Sequence, residues 1–269
     1  MSKKILVILL AFFLSIWIIY YNATKINTKQ IKVRQEILKS DKIDQDINDL
    51  LIIYFSDLYY GEYIDEIYLN DLISKINIFK PDIIIFGGDL IQQNTNQELL
   101  TNSLSTLQAK HGKFAVLGDN DGLLAQEILN NAGFDIIDND NRIIAIDKNS
   151  YITIVGSQPM VNGKPDLAKS FSGINSNYYT IYTSHCPDIF DDVIDYPFDI
   201  MLAGHSLGGQ IHIPIIEIFY RPQGCQKYHH GKITNNTKTL DITNGLGRID
   251  YNARLLADSE IVLYTLKSK

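Results

Sequence analysis

Ile83-Ile84-Ile85-Phe86-Gly87-Gly88-Asp89 sets the pattern by which the whole chain is read: four apolar residues, a glycine pair and a carboxylate. A short apolar run bounded by glycine fits a buried strand. The glycines permit a tight turn just where Asp89 must swing past the strand end. The same form recurs along the chain. Residues 50–55 stop at Ser56-Asp57, 114–117 at Gly118-Asp119-Asn120-Asp121, 181–183 at Ser184-His185, and 198–203 at Gly204-His205.

Between the first two runs, Leu69, Leu72, Ile73 and Ile76 recur at helical spacing before Pro81, which predicts an amphipathic helix joining two parallel neighbouring strands. Leu100, Leu104 and Leu107 repeat the spacing, with His111 expected in the last turn and Gly112 as the stop. From residue 134 the runs are shorter and more β-like: 134–137, 143–146, 151–155, 211–216, 239–242 and 261–266. The expected fold class is α/β: two packed β-sheets flanked by helices, an αββα sandwich, preceded by one transmembrane helix. In such sheets ligands lie outside the carboxyl ends of the strands, so the charged tips can meet at one site.

Residues 5–21 are apolar except for Ser15, follow Lys3 and Lys4, and end in Trp17, Tyr20 and Tyr21. That length and those interfacial aromatics predict a membrane span. A cleaved signal peptide fits less well, because the run is longer than the usual ~7–15 residues and no small-residue cleavage site follows. The expected division is an anchor over 1–22, a linker over 23–48 and one domain over 49–269. Lys25, Lys29, Lys32, Arg34 and Lys39 follow the span, and this excess of positive charge favours a cytoplasmic domain over a periplasmic or extracellular one. The net charge of −7 excludes a nucleic-acid partner of the usual basic kind. Cys186 and Cys225 form no paired motif, so neither a disulfide framework nor a zinc knuckle is expected.

Asp57, Asp89, Asp119, His185 and His205, each on a loop after a strand, combine hard oxygen and imidazole ligands suited to a divalent metal. Any one such Asp would by default be a helix cap, but the ordered set points to a metal centre. His212 reads as part of a strand and His229-His230 as a loop, outside that set. Arg221, Lys227, Arg248 and Arg254 could each meet a phosphate, with solvated surface as the default for each.

The order of the tips resembles the calcineurin-like metallophosphoesterase superfamily, whose pattern is D-x-H, G-D, G-N-H-[DE], a single H and G-H-x-H. Here the segments read Ser56-Asp57-Leu58-Tyr59, Gly87-Gly88-Asp89, Gly118-Asp119-Asn120-Asp121, Ser184-His185-Cys186-Pro187 and Gly204-His205-Ser206-Leu207. Gly208-Gly209-Gln210 and Asn244-Gly245-Leu246-Gly247 resemble the subgroup with an N-terminal membrane segment. The resemblance implies one metal position formed by Asp89, Asp119, His185 and His205, with Asp119 replacing an asparagine. It implies a second position reduced to Asp57 and Asp89, because Tyr59 and Leu207 stand where the family has histidines. Asn120 stands where the family places a histidine over the scissile phosphate, beside the carboxylate of Asp121. Those two are the expected catalytic positions.

The implied function is hydrolysis of a phosphoester or diphosphate at the membrane, on a phosphorylated small molecule or a lipid- or nucleotide-linked substrate. One or two divalent ions would be held, manganese first, with zinc or iron as alternatives. Loss of three family histidines keeps a second expectation open: an inactive relative that binds a phosphorylated ligand or a protein partner.

Overall fold

The computed structural model describes residues 2–213, 217–218 and 221–269. Helix α1 (Lys3–Tyr21) leads to strands β1 (Lys32–Ser40) and β2 (Leu51–Phe55). Helices and strands then alternate: α2 (Glu66–Ile78), β3 (Ile83–Phe86), α3 (Gln97–Ser105), β4 (Lys113–Ala115), α4 (Leu123–Asn131) and β5 (Asp135–Ile136). Next come β6 (Asp140–Ala145), β7 (Tyr151–Gly156), α5 (Leu167–Ser170), β8 (Tyr179–Thr183), α6 (Phe190–Val193) and β9 (Ile200–Ala203). The chain closes with β10 (His212–Ile213), β11 (Glu217–Ile218), β12 (Gly231–Asn235), β13 (Lys238–Ile242) and β14 (Glu260–Ser268).

Two six-stranded sheets form, ordered β1-β14-β2-β3-β4-β5 and β12-β13-β9-β8-β7-β6. Alternation of side chains along each strand sorts them into layers. Ile52, Tyr54, Ile83 and Ile85 of one sheet meet Ile152, Ile154, Ile181 and Leu202 of the other in a shared central core. Their neighbours Ile53, Phe55, Ile84 and Phe86 face outward onto Leu69, Leu72 and Ile76 of α2 and Leu100 of α3. On the opposite outer face Tyr182, Met201 and Ile242 pack with Phe190 and Val193 of α6. This is the expected sandwich of two sheets between helices. Strands β2 and β3 are parallel, as the intervening helix requires. Their tips, with those of β8 and β9, emerge at one edge of the sandwich.

Two expectations need correction. The segment read as a linker contains β1, which pairs in parallel with β14 along nine residues, from Lys32 opposite Glu260 to Ser40 opposite Ser268. Its charges hid it, since an edge strand turns every second residue to solvent and tolerates Lys and Arg there. Arg34 turns inward instead, 3.0 Å from the buried carboxylate of Asp241 and 3.2 Å from Glu260. His111 is not in a helical turn: α3 ends at Ser105, where the Asn77 amide donates to the Thr106 carbonyl at 3.0 Å. The His111 backbone N–H donates to Asp82 at 2.7 Å on the way into β4. Of the expected strand at 211–216, His212 and Ile213 form β10, and 214–216 lie outside the described residues.

None of the 19 residues of α1 is buried. At ~1.5 Å per residue the helix is about 28 Å long, close to a hydrocarbon core of about 30 Å. It is the one helix among the described residues that is long and apolar enough to cross a membrane. Its foot is fastened to the body. The Arg254 backbone donates to Ala23 at 2.9 Å, the Asn27 amide to Arg254 at 3.0 Å, and the Arg248 guanidinium to Thr28 at 2.7 Å.

Candidate metal centre

Asp57, Asp89 and His205 follow β2, β3 and β9 in the left-handed conformation, with φ of 53°, 59° and 69°. Such angles cost energy in residues other than glycine, and they gather where a side chain must be aimed. All three are buried, as is His185 after β8. Gly88 makes the approach of these loops possible: at φ +96° it leaves room where a Cβ would lie 2.5 Å from the Gly118 nitrogen and 2.8 Å from the His185 ring.

The two imidazoles are held from behind. His185 Nδ1 lies 2.7 Å from the Gly87 carbonyl and His205 Nε2 lies 2.8 Å from the Gln223 carbonyl. A carbonyl can only accept, so each of these nitrogens carries its hydrogen and the other turns inward. The inward atoms, His185 Nε2 and His205 Nδ1, are 3.0 Å apart, and His185 Nε2 is 3.1 Å from Asp89 Oδ2. Backing of a ring by a carbonyl is the outer-shell arrangement that orients histidine ligands in metal sites. Ligand atoms of Asp89, His185 and His205 all lie within 4.8 Å of one another.

The electrostatics follow from crowding three such groups away from water. Burial alone would lower the pKa of His185, but the charge of Asp89 and its hydrogen bond outweigh this and raise it to about 10. Burial lowers that of His205, and the charge on His185 lowers it further. Burial would raise the Asp89 carboxyl, yet His185 and the hydrogen bonds from Tyr59 and Asn120 hold it well below the usual range. Asp57 is raised, chiefly by burial.

Each residue expected at the site has a definite place. Asp57 accepts from the Ser56 hydroxyl and from the His205 backbone N–H, 3.1 and 3.0 Å from its two oxygens, and lies 3.9 Å from His185 Nε2. It stands beside the three-residue cluster rather than in it. Asp119 accepts from the backbone of Val161 and Asn162 at 2.9 and 2.8 Å, with its other oxygen 3.8 Å from His205 Nδ1. The Asn120 amide donates to Asp89 Oδ2 at 2.8 Å, and the Tyr59 hydroxyl donates to the same oxygen. Leu207 is fully buried.

Asp121 points elsewhere. Its carboxylate accepts from the backbone N–H groups of Asp89 and Gly118 at 2.8 Å and of Leu90 at 2.9 Å, pinning two strand-end loops together. Burial and the nearby Asp89 raise its pKa to about 6.

Cys186 was missed. Its buried thiol lies 2.8 Å from Asp119 Oδ2, and Asp119, Cys186 and His205 form a second group whose ligand atoms lie within 4.8 Å. The only signal in the sequence was adjacency to His185. The arginine reading also changes. Arg254 is fully buried and donates to the carbonyls of Leu207, Asn244, Gly247 and Ala257, so it knots the loops behind the centre. Arg248 is buried at the foot of α1, and Lys227 pairs with Asp191 at 2.7 Å.

Strand-end loops that bring a buried carboxylate and two back-bonded imidazoles into one cluster define a layered α/β protein with a candidate cation site. No family profile matches the chain. A metallophosphoesterase of Campylobacter jejuni is 31% identical over 276 residues, covering 95% of this chain and 68% of its own. The phosphodiesterase YaeI of Escherichia coli is 28% identical, covering 80% of this chain and 81% of its own. UDP-2,3-diacylglucosamine pyrophosphatase LpxG of Chlamydia trachomatis is 25% identical, covering 62% of this chain and 66% of its own. The chain belongs to the metallophosphoesterase family.

Proposed function

We propose that this protein is a membrane-anchored hydrolase of phosphoester or diphosphate bonds that works with one tightly held divalent cation. Asp89, His185 and His205 would hold the cation, with Asp119 completing the set and Asp57 in reserve beside it. The observation that carries this reading is the inward-facing pair His185 Nε2 and His205 Nδ1 against Asp89, each ring backed by a carbonyl. Bound there, the cation supplies positive charge to the phosphoryl oxygens as the bond breaks.

The residues of the chain do the rest. Gly87 and Gln223 hold the ring planes so that the inner nitrogens already point into the cluster when a ligand arrives. The Asn120 amide, now on Asp89, can donate a hydrogen bond to a phosphoryl oxygen, but as a neutral amide it cannot give up a proton. Asp121 acts as a positioning residue through the loops it pins. Helix α1 would keep the body at the bilayer, with the domain beginning at its foot and including β1. The chlamydial relative is named for a lipid-linked diphosphate, which supports a substrate of that class here. Manganese is the first candidate for the cation. The basic residues after the span support a cytoplasmic body.

A second reading has its own support. The Tyr59 hydroxyl and the Asn120 amide both fill the acceptor capacity of Asp89 Oδ2, as expected of a site that binds a phosphorylated ligand without turnover. Metal stoichiometry of the purified full chain, measured beside hydrolysis of a generic phosphodiester with added manganese, separates the two. One ion with turnover supports the hydrolase. One ion with no turnover sinks it in favour of the binding protein, and no ion at all sinks both.

A further inference from the structure

Away from the metal centre, the foot of α1 holds two adjoining cavities of different character. One, of about 480 Å³, is lined by Thr24, Lys25, Thr28, Lys29 and Arg248, among others. The other, of about 720 Å³, is lined by Ile16, Ile19, Tyr20, Tyr251 and Leu255 and runs up the apolar helix. Thr24, Lys25, Tyr63 and Asn252 line both, so polar and apolar spaces share a wall.

Arg248 is the informative residue. It is 2% exposed, yet it makes no ion pair among the described residues: its Nη atoms donate to the carbonyls of Thr28 and Tyr63, and its guanidinium lies 5.5 Å from the Tyr68 ring centre. Its Nε is buried with no hydrogen-bond partner. An unpaired buried donor on a charged group is costly unless something supplies the acceptor. Lys25 and Lys29 stand one helical turn apart on the same wall, with no ion pair among the described residues. Of the two carboxylates that line the cavity, Asp71 is held by Lys75 at 2.5 Å and Asp65 caps α2 by accepting from Tyr68 at 2.8 Å. Asp250 lines the apolar cavity and not the polar one, so Lys25, Lys29 and Arg248 gather on the polar wall without an ion pair of their own among the described residues.

Resting on the reading of α1 as a membrane span, we propose that this foot binds one anionic phospholipid. Its phosphate lies among Lys25, Lys29 and Arg248, and an acyl chain lies along Ile16, Ile19 and Tyr20. The shared chemistry is a phosphate oxyanion, which free phosphate also offers. The apolar groove continuous with the span selects the lipid, since basic residues just past a span sit at headgroup depth. A lipid there would also bear on the catalytic body, because the same segment reaches from Arg248 through Gly247, which packs against the Tyr59 loop, to Arg254.

The full chain is reconstituted into nanodiscs of phosphatidylcholine with or without one-fifth phosphatidylglycerol, and retained lipid is counted by native mass spectrometry. One retained phosphatidylglycerol per chain is expected, and Lys25→Gln with Lys29→Gln should reduce its retention at least about tenfold, given the attraction each lysine adds near an anionic surface. Both lysines are outside the core, so circular dichroism of the double variant should match the parent. Equal retention of the two lipids, or retention unchanged in the double variant, overturns the proposal. So does inorganic phosphate if it occupies the site equally well in pure phosphatidylcholine discs. Co-flotation with phosphatidylcholine vesicles tests the span separately: a chain that floats but retains no anionic lipid fails here alone, and a chain that does not float fails the anchoring itself.

Discussion

The two sides of Asp89 are built in opposite ways. On one side His185 and His205 turn their inner ring nitrogens toward the carboxylate, their outer ones tied to the carbonyls of Gly87 and Gln223. On the other, Tyr59 and Asn120 turn hydrogens toward it, and both land on Oδ2. Once His185 yields its inner proton, that side offers lone pairs to a cation; the other satisfies the carboxylate as a cation would, without charge. On the proposed one-cation reading, loss of the second position would involve more than deletion of ligands. The Tyr59 and Asn120 donors occupy the acceptor on Asp89 that a second ion would use, and Leu207, which cannot ligate, is buried.

The sharpest way to break this comparison is on the lone-pair side. His205→Ala should raise the dissociation constant of the cation more than about 100-fold, beyond the roughly 10–100-fold typical of outer-shell losses. His212→Ala, whose ring lies against His230 instead, should leave metal content unchanged in a parallel calorimetric titration. Equal losses in both would mean that the cluster is not where the cation goes.

The donor side is tested by reversing it. Tyr59→His, Asn120→His and Leu207→His together should remove both hydrogens from Asp89 Oδ2 and return ligands beside Asp57. A second manganese should bind, and hydrolysis of a generic phosphodiester should rise at least about tenfold, since positioned charge is worth orders of magnitude in such reactions. No single member should give the gain. A folded triple variant that still binds one ion would show that Asp57, occupied by Ser56 and the His205 backbone, has itself been withdrawn from ligation.

At the seam of the two sides, Gly88→Ala should cost about 1–3 kcal/mol in denaturant unfolding, the range for a non-glycine residue forced into such a backbone angle. Its Cβ would press on both Gly118 and the His185 ring, so metal affinity should fall as well. Loss of stability with unchanged affinity would separate the fold of these loops from their ligand geometry.

What could be read from sequence divides along a similar line. Strand tips were legible because burial on both faces leaves continuous apolar runs such as 83–86, and because glycine marks where they turn. The edge strand β1 was not, since its pattern of Lys, Arg and Glu carries no such run and its inward arginine finds Asp241 more than 200 residues away. Motif order supplied Asp89, His185 and His205, but not which way each group faces. Asp121 shows the limit: its type and place in the motif are as expected, while its oxygens are spent on backbone N–H groups.

Cys186 gives the smallest predicted effect and the finest test of the lone-pair side. A thiolate beside Asp119 and His205 would make this a softer site, favouring zinc or iron over manganese. The structure gives the thiol another occupation: it lies 2.8 Å from Asp119 Oδ2, where it donates its hydrogen. Burial first, and then the charge of Asp119, push its pKa far above the ordinary thiol range, so in the absence of a cation it acts as a donor. Cys186→Ser keeps a donor in nearly the same position and should leave manganese affinity within about threefold. Cys186→Ala leaves Asp119 short of one hydrogen bond, a change on the order of 1 kcal/mol, and should weaken binding correspondingly. Cobalt substitution reads the alternative directly. If the parent protein shows a sulfur-to-cobalt charge-transfer band that Cys186→Ser removes, the thiol is a ligand, and the preference for manganese would have to give way to zinc or iron.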